Sequence, residues 1–211
     1  FSLRAMRKGE IITLDNLKEA SDIAHRLGAK AYMTLNIFAF NSDIKHLEEC
    51  MDIIKDASPD GILVSDFGIL RLLRKYMPDV DIHVSTQTNI LNYECVKFWQ
   101  DMGATRVVLA RELSIPEIAE IKRQVPDMEV ECFIHGSQCV SFSGRCLLSD
   151  YMTNGERKAN SGKCSQPCRW SYKLVEETRP GQYYEINQDD TGSHILSPKD
   201  LCLVKYLKDM I

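Results

Sequence analysis

DIHVSTQTNILNYECVKFWQDMGATRVVLARE, residues 81–112, is the stretch whose reading decides the fold. It opens on a short strand pattern, Asp81 to Ser85, because β-branched side chains fit a pleated chain. A helix pattern follows from about Asn92 to Met102, and then Arg106 to Ala110, RVVLA, reads as a second strand. Strand, helix, strand is the unit of a parallel sheet.

The unit repeats outward in both directions. Upstream, KAYMTLN (30–36) and GILVS (61–65) are strands. Helices precede and follow them. Thr13 is expected to cap one that runs to about Leu27, with Gly28 as its stop. Asn41 or Ser42 is expected to cap the next, which carries Ile44, Leu47, Cys50, Met51 and Ile54 on one face. Residues 67–76 form a third. Downstream, Ser114-x-x-Glu117 is a capping box for a helix to about Gln124, and MEVECFI (128–134) is a strand. The apolar strands imply burial on both faces of a parallel sheet.

Polar residues gather at strand carboxyl ends: Asn36, Ser65-Asp66, Ser85-Thr86-Gln87, Arg111-Glu112 and His135. That is where (β/α)8 barrels build their sites. No glycine-rich phosphate loop follows a strand, which argues against a dinucleotide fold. An α/β barrel is therefore expected. Five visible strands do not close one. The chain starts FSLRAM without an initiator Met and ends in a helical pattern, so it is expected to be a truncated barrel, a fragment of a longer protein.

After the last strand the character changes. Residues 131–168 read ECFIHGSQCVSFSGRCLLSDYMTNGERKANSGKCSQPC. Cys139, Cys146, Cys164 and Cys168, spaced C-x6-C-x17-C-x3-C, lie among Gly, Ser, Asn and Arg, a loop composition. Four thiols on a polar loop suit a metal centre. Two bland alternatives stand beside it. Buried free cysteine is common, and Cys50, Cys95 and Cys132 fit that description. Disulfides are disfavoured because the rest reads as an intracellular α/β protein without a secretory segment.

Beyond the cysteines, WSYKLVE (170–176) reads as a strand and residues 177–192 as hairpin-like. Ser197 is expected to cap a helix with Pro198 at its first position. Cys202 would lie in its first turn, with Leu201, Val204 and Leu207 facing the core. Residues 1–135 are thus barrel repeats, and 136–211 a cysteine-rich insertion with the start of the return to the barrel, in the same domain.

Length and composition agree. The chain has 211 residues, 44% hydrophobic, enough for one real core. Its net charge of −4 gives no global signature for nucleic acid. No apolar run reaches membrane-spanning length, so no membrane partner is expected.

Candidate chemistry lies at the strand ends. Alternation along DIHVSTQ puts His83, Ser85 and Gln87 on one face. With Glu112 and His135 these are the catalytic candidates. Arg111 is the natural carboxylate anchor, because its planar fork matches that geometry. Arg145 and Arg169, with Arg157, Lys158 and Lys163, supply positive charge that either tunes a cluster or attracts phosphate or carboxylate. The plain alternative for each is structural: a satisfied core histidine, an Arg111–Glu112 pair, a solvated loop face. The chain has no G-x-S-x-G elbow and no H-E-x-x-H.

The run E-x-F-x-x-G-S-x-C-x4-G-x-C-x-L-S, residues 131–149, resembles the signature of the peptidase U-32 family, the collagenase-like peptidases. Gln138 departs from it, standing where an aliphatic residue is usual. FSLRA, NIFAFN, VSDFGILRL, HVSTQTN, ARELS, GRCLLSDYM, GKCSQPCRW and SPKDLC also resemble family segments. The resemblance implies a modified (β/α)8 TIM-type barrel with the cysteine-rich insertion after the seventh family strand. The five clear strands would then be the third to the seventh. Family members are classed as peptidases, but several relatives are iron–sulfur proteins of oxygen-independent hydroxylation of tRNA, rRNA or a quinone precursor. Prephenate is the implied oxygen donor in some. Cys139, Cys146 and Cys164 match their first three cluster ligands; the fourth is Cys168 or, alternatively, Cys202.

The resemblance thus implies a cytoplasmic iron–sulfur RNA hydroxylation protein carrying a 4Fe-4S cluster, with prephenate as a candidate co-substrate and tRNA as the first substrate. The alternative is a peptidase acting on collagen-like or unfolded peptides, with zinc in place of iron and His135 near enough to contribute. A second alternative is a non-catalytic domain whose metal staples a loop, with a homodimer as its candidate assembly.

Overall fold

A computed structural model describes residues 12–136, 139–170, 178, 187–189, 192–194 and 201–210. Its centre is a five-stranded parallel sheet: β1 (Tyr32–Leu35), β2 (Gly61–Val64), β3 (Ile82–Val84), β4 (Arg106–Val108) and β5 (Glu129–Glu131). The strands lie side by side in chain order, all parallel. Helices α1 (Leu17–Arg26), α2 (Asn41–Asp56), α3 (Phe67–Tyr76), α4 (Tyr93–Asp101) and α5 (Ile115–Gln124) alternate with them.

Register explains the layers. Leu35, Val64, Val84, Val107 and Val130 form one row across the sheet. The first four are 0–1% exposed and share one core with Met51 and Ile54 of α2, Leu73 of α3, Trp99 of α4 and Ile121 of α5. Burying each such side chain contributes about 1.5–3 kcal/mol. The neighbouring row, Thr34, Leu63, His83, Arg106 and Glu129, points to the opposite face. That face lies outside the helix-packed core. A doubly wound sheet would be helix-covered on both faces and would reverse its strand order. Sequential order with one covered face is a singly wound arc instead.

Burial on both faces, expected from the sequence, therefore holds for one face only among the described residues. The apolar runs conceal a period of two.

The helix starts follow local hydrogen bonds. Asp66 Oδ1 accepts the Gly68 and Ile69 N–H groups at 2.8 and 3.1 Å and so caps α3. Asn92 Oδ1 caps α4 through Cys95 N–H at 2.9 Å. The Ser114–Glu117 box forms as expected, with Glu117 Oε2 accepting from the Ser114 N–H and hydroxyl at 2.8 and 2.7 Å. Two expected caps move. Thr13 does not cap α1, which begins only at Leu17; its N–H donates instead to Asn16 Oδ1 at 2.6 Å. At α2, Phe40 takes the cap position and gives its N–H to Asp43 Oδ2 at 2.8 Å. A carboxylate reaching back from the first turn replaces the expected Asn41 or Ser42.

Past β5 the chain leaves the sheet. β6 (His135–Gly136) is followed by α6 (Leu148–Met152) and short 3-10 turns at Phe142–Gly144, Ala159–Ser161 and Pro167–Arg169. β7 (Asn187–Asp189) and β8 (Gly192–His194) pair antiparallel, the hairpin expected there. β9 (Leu201–Cys202) pairs antiparallel with β6, matching Cys202 to His135. This corrects the helix expected at Cys202. The α-helix of this region, α7 (Leu207–Met210), starts later, and Val204 and Leu207 are exposed rather than in the core. Pairing with β6 outweighs the helical spacing of Leu201, Val204 and Leu207. The expected strand at 170–176 and the cap at Ser197-Pro198 fall outside the described residues beyond Trp170.

Candidate functional site

The carboxyl ends of β1, β2 and β3 carry a row of buried polar side chains: Asn36, Ser65, Ser85 and Gln87, each 1–6% exposed. Asn36 Nδ2 donates to Ser85 Oγ at 3.1 Å, and Ser65 Oγ to Gln87 Oε1 at 3.5 Å. Asp66 adds its second oxygen to the Ala39 N–H at 3.3 Å, tying the exit of β1 to that of β2.

The cysteine-bearing segment is fastened over this end of the sheet. Ser143 gives its N–H to Glu112 Oε1 at 2.9 Å and its hydroxyl to Asn89 Oδ1 at 2.7 Å. Arg145 Nε donates to the Gln87 carbonyl at 3.1 Å, and its guanidinium lies 5.3 Å from the Phe38 ring centre. Asn160 works in both directions: its backbone carbonyl accepts Phe38 N–H and its side-chain oxygen accepts Cys146 N–H, each at 3.2 Å. Ser149, fully buried, joins the two halves of the segment. Its hydroxyl donates to the Arg157 carbonyl at 2.7 Å and accepts Ser165 N–H at 2.9 Å. Asn89 and Ser143 hold left-handed backbone at φ 65° and 49°. Such strain in non-glycine residues persists only where surroundings hold it.

Three cysteines share one local geometry. Cys139 Sγ accepts Ser141 N–H at 3.4 Å, Cys146 Sγ accepts Leu148 N–H at 3.3 Å, and Cys164 Sγ accepts Gln166 N–H at 3.3 Å. An amide donated to sulfur favours thiolate over thiol. Cys168 sits beside them. Burial pushes its thiol pKa up, the neighbouring Cys139, Cys164 and Cys146 thiolates push it further, and Arg169 opposes them. A thiol raised in this way needs a cation before it ionises, and a bound metal ion is such a charge. Thiolates, with amides already directed at sulfur, are the donor set of cysteine-ligated metal centres. Among the described residues, no three His, Cys, Asp or Glu side chains stand at the mutual distances of a metal site. The four thiols are neighbours; they are not drawn into a coordination cage. None of the eight cysteines is in a disulfide.

The other sequence candidates separate. Gln87 and Arg145 stand at the mouth. Glu112 stands there too, but its carboxylate is engaged by the segment it anchors. Arg111 packs its guanidinium over the Phe133 ring, 4.0 Å from the centroid. His135 is exposed, and its backbone pairs with that of Cys202. Cys202 is exposed and is not among the charges acting on Cys168. His83 lies at the other end of the sheet. Its ring is 4.9 Å from that of Tyr32 and stands over Gly61, the first residues of β1 and β2. Burial and then Arg106 lower its pKa, against the opposing pull of Asp81 and Glu129. The face assigned from alternation holds, but not the height: four residues along a strand separate His83 from Gln87 by about 13 Å. Asn89, Ser143 and Asn160 were missed. Only the signature's own Gly-Ser-rich composition hinted at them.

A family model described as Peptidase family U32 matches residues 1–211. The chain belongs to peptidase family U32. Among its U32 relatives is the tRNA hydroxylation protein P of Haemophilus influenzae, 49% identical over 163 residues, 77% of this chain and 35% of the relative. Another is the 23S rRNA 5-hydroxycytidine C2501 synthase of Escherichia coli, 37% identical over 188 residues, 89% of this chain and 27% of the relative. The chain spans about half, or less, of the length of the curated relatives it matches. The solved structure of the U32 peptidase Mk0906 shares the fold, with a TM-score of 0.51 at 17% identity over 63% of this chain and 56% of that one.

The mouth also differs in charge from the rest of the chain. Residues 139–170 hold five Lys or Arg against two Asp or Glu, net +3 in a chain of net −4. Arg157, Lys158 and Lys163 are exposed. No described helix is long and apolar enough to cross a membrane.

Proposed function

We propose that this chain carries the catalytic mouth of an iron–sulfur-dependent RNA hydroxylation protein, with tRNA as its substrate. The observation that carries the reading is the shared amide-to-sulfur turn at Cys139, Cys146 and Cys164, gathered around Cys168 over the strand carboxyl ends. Those four thiols would hold a 4Fe-4S cluster, with Cys168 rather than Cys202 as the fourth ligand. A bound cluster would supply one-electron chemistry at a potential tuned by amides and nearby charge. The relatives named for tRNA and rRNA hydroxylation support an RNA substrate, and the positive segment suits a phosphate backbone. Arg111 and Arg169 remain candidates for a carboxylate co-substrate of the prephenate type.

In the same reading the sheet is the third-to-seventh-strand arc of a (β/α)8 barrel. β1 and β5 each pair on one side only among the described residues, which leaves both flanks for further strands. Eight unpaired thiols suit a reducing, cytoplasmic setting. The hydrolytic alternative has less support. No serine or cysteine of the mouth is hydrogen-bonded to an imidazole among the described residues, and a nucleophile needs such a base.

Anaerobic purification with iron and sulfide assays tests the proposal. About four irons per chain are expected, with a broad visible absorbance. The iron is lost in Cys146→Ala and Cys168→Ala and kept in Cys202→Ala. Iron-free protein after anaerobic reconstitution would overturn the reading; iron lost with Cys202→Ala but not Cys168→Ala would reassign the fourth ligand. RNA incubated with the loaded protein should then gain the mass of one oxygen.

A further inference from the structure

We propose that the neutral floor at the carboxyl ends of β1 to β3 is a subsite for a pyrimidine base, read by the Asn36 amide. The proposal rests on the RNA reading above and assigns residues to the base rather than to the backbone.

The argument starts from unmet hydrogen bonds. Asn36 is 6% exposed. Its Nδ2 is spent on Ser85, but its Oδ1 is sealed from solvent with no partner. Thr34 Oγ1, two residues earlier on the same strand face, is likewise buried and unpartnered. Four such side-chain atoms occur among the described residues, and these two stand on successive rungs of one strand face. Leaving a buried acceptor unpaired costs stability, and sites that bind polar ligands carry that cost when empty.

The chemistry of the floor narrows the ligand. Asn36, Ser65, Ser85 and Gln87 are polar and uncharged. The open group is a carbonyl oxygen, so its partner must bring an N–H. A phosphate or carboxylate brings only acceptors and would meet no counter-charge here; such groups belong with the positive segment. A pyrimidine fits. Uracil presents an N–H between two carbonyls, and cytosine an exocyclic amine beside a ring acceptor. Either satisfies Asn36 Oδ1 and leaves acceptors for the hydroxyls of Thr34, Ser65 and Ser85.

The rim supplies the remaining element of base recognition. Phe38, half-buried at the exit of β1, stands under the Arg145 guanidinium. Enzymes that act on a base read its edge by hydrogen bonds and its faces by stacking on aromatic or guanidinium planes. The floor lies beneath residues 142–145, whose hold on it is the Ser143 and Arg145 hydrogen bonds; the base enters when these release.

The test uses fluorescence anisotropy with the cysteine-intact chain and two labelled decamers of equal charge, one of uridylates and one abasic. The expected result is a preference of about tenfold for the uridylate decamer, the size of one well-made base contact. Asn36→Leu should abolish that preference while leaving abasic affinity unchanged. It should also leave the midpoint of thermal unfolding unchanged or higher, because it removes an unpartnered acceptor. A structural Asn36 would instead lose stability on that substitution. Gln87→Leu is the second variant, expected to weaken the preference without changing abasic affinity. A preference that survives both variants overturns the proposal and leaves the RNA reading standing. Failure of both decamers to bind overturns the RNA reading and the proposal together.

Discussion

The two ends of the sheet are built on opposite principles. At the amino end, Tyr32, His83, Arg106 and Glu129 form a closed set: Arg106 donates to Glu129 at 2.6 and 2.8 Å, reaches Glu131 at 3.8 Å, and lies over the Tyr32 ring. Every charge there has an opposite neighbour. At the carboxyl end, Asn36 Oδ1 and Thr34 Oγ1 have no partner, Ser143 and Asn89 hold left-handed backbone, and four thiols crowd together. One end spends its polar groups on itself; the other keeps them for something else. Stability at one end and function at the other is the division of labour known in barrels.

That comparison can be broken at either end. The largest effect is expected at the amino end. Arg106→Ala should lower stability by about 1–2 kcal/mol in urea titrations. The loss comes from packing on Tyr32 and a discounted, partly exposed ion pair. An unchanged midpoint would remove the claim that this end is the stabilising one.

A smaller and local effect is expected at Glu112. Glu112→Ala strands the buried Ser143 N–H, an opening worth about 1–3 kcal/mol for the segment it holds. Hydrogen exchange should lose protection around residues 141–146 and keep it in the sheet. If protection falls everywhere, the mouth is part of the global core and the contrast fails.

The smallest effect is the pH response of His83. Its folded pKa lies below the unfolded value of about 6.5, so the unfolded chain takes up a proton first as pH falls. The contribution of neutral His83 is full above that value and is lost progressively as pH drops through it. Asp81, Glu129, Arg106, Lys30 and Tyr32 are the groups around it. The unfolding midpoint should fall between pH 7 and 5, and His83→Gln should flatten that fall. An identical slope in the variant would show that other groups set it.

The alternation of strands and helices was legible because it rests on local chemistry. Branched apolar runs, Asn92 as a cap and the Ser114–Glu117 box each carry their own signal. The side of the sheet on which His83 lies was legible from a period of two, but its distance from the mouth depends on where the strand begins. Leu201–Cys202 was misread because a helical spacing is visible in sequence, whereas a partner strand at His135–Gly136 is not. The four cysteines announced themselves by composition. Their fastening did not: Asn160 and Ser143 act through contacts with residues far away in the chain, and nothing nearby marks them.

The sulfur turns carry a last consequence, for how such a segment tolerates change. Each of Cys139, Cys146 and Cys164 is braced by the amide two residues further on, so each brings its own fitting. The intervals between fittings are then free to lengthen or shrink, as at the exposed Asn154-Gly155 turn between Cys146 and Cys164. Inserting a residue directly after a cysteine has the opposite effect, because it pulls the brace off the sulfur. Modularity of this kind lets a loop drift in length and composition while its donor atoms stay in place.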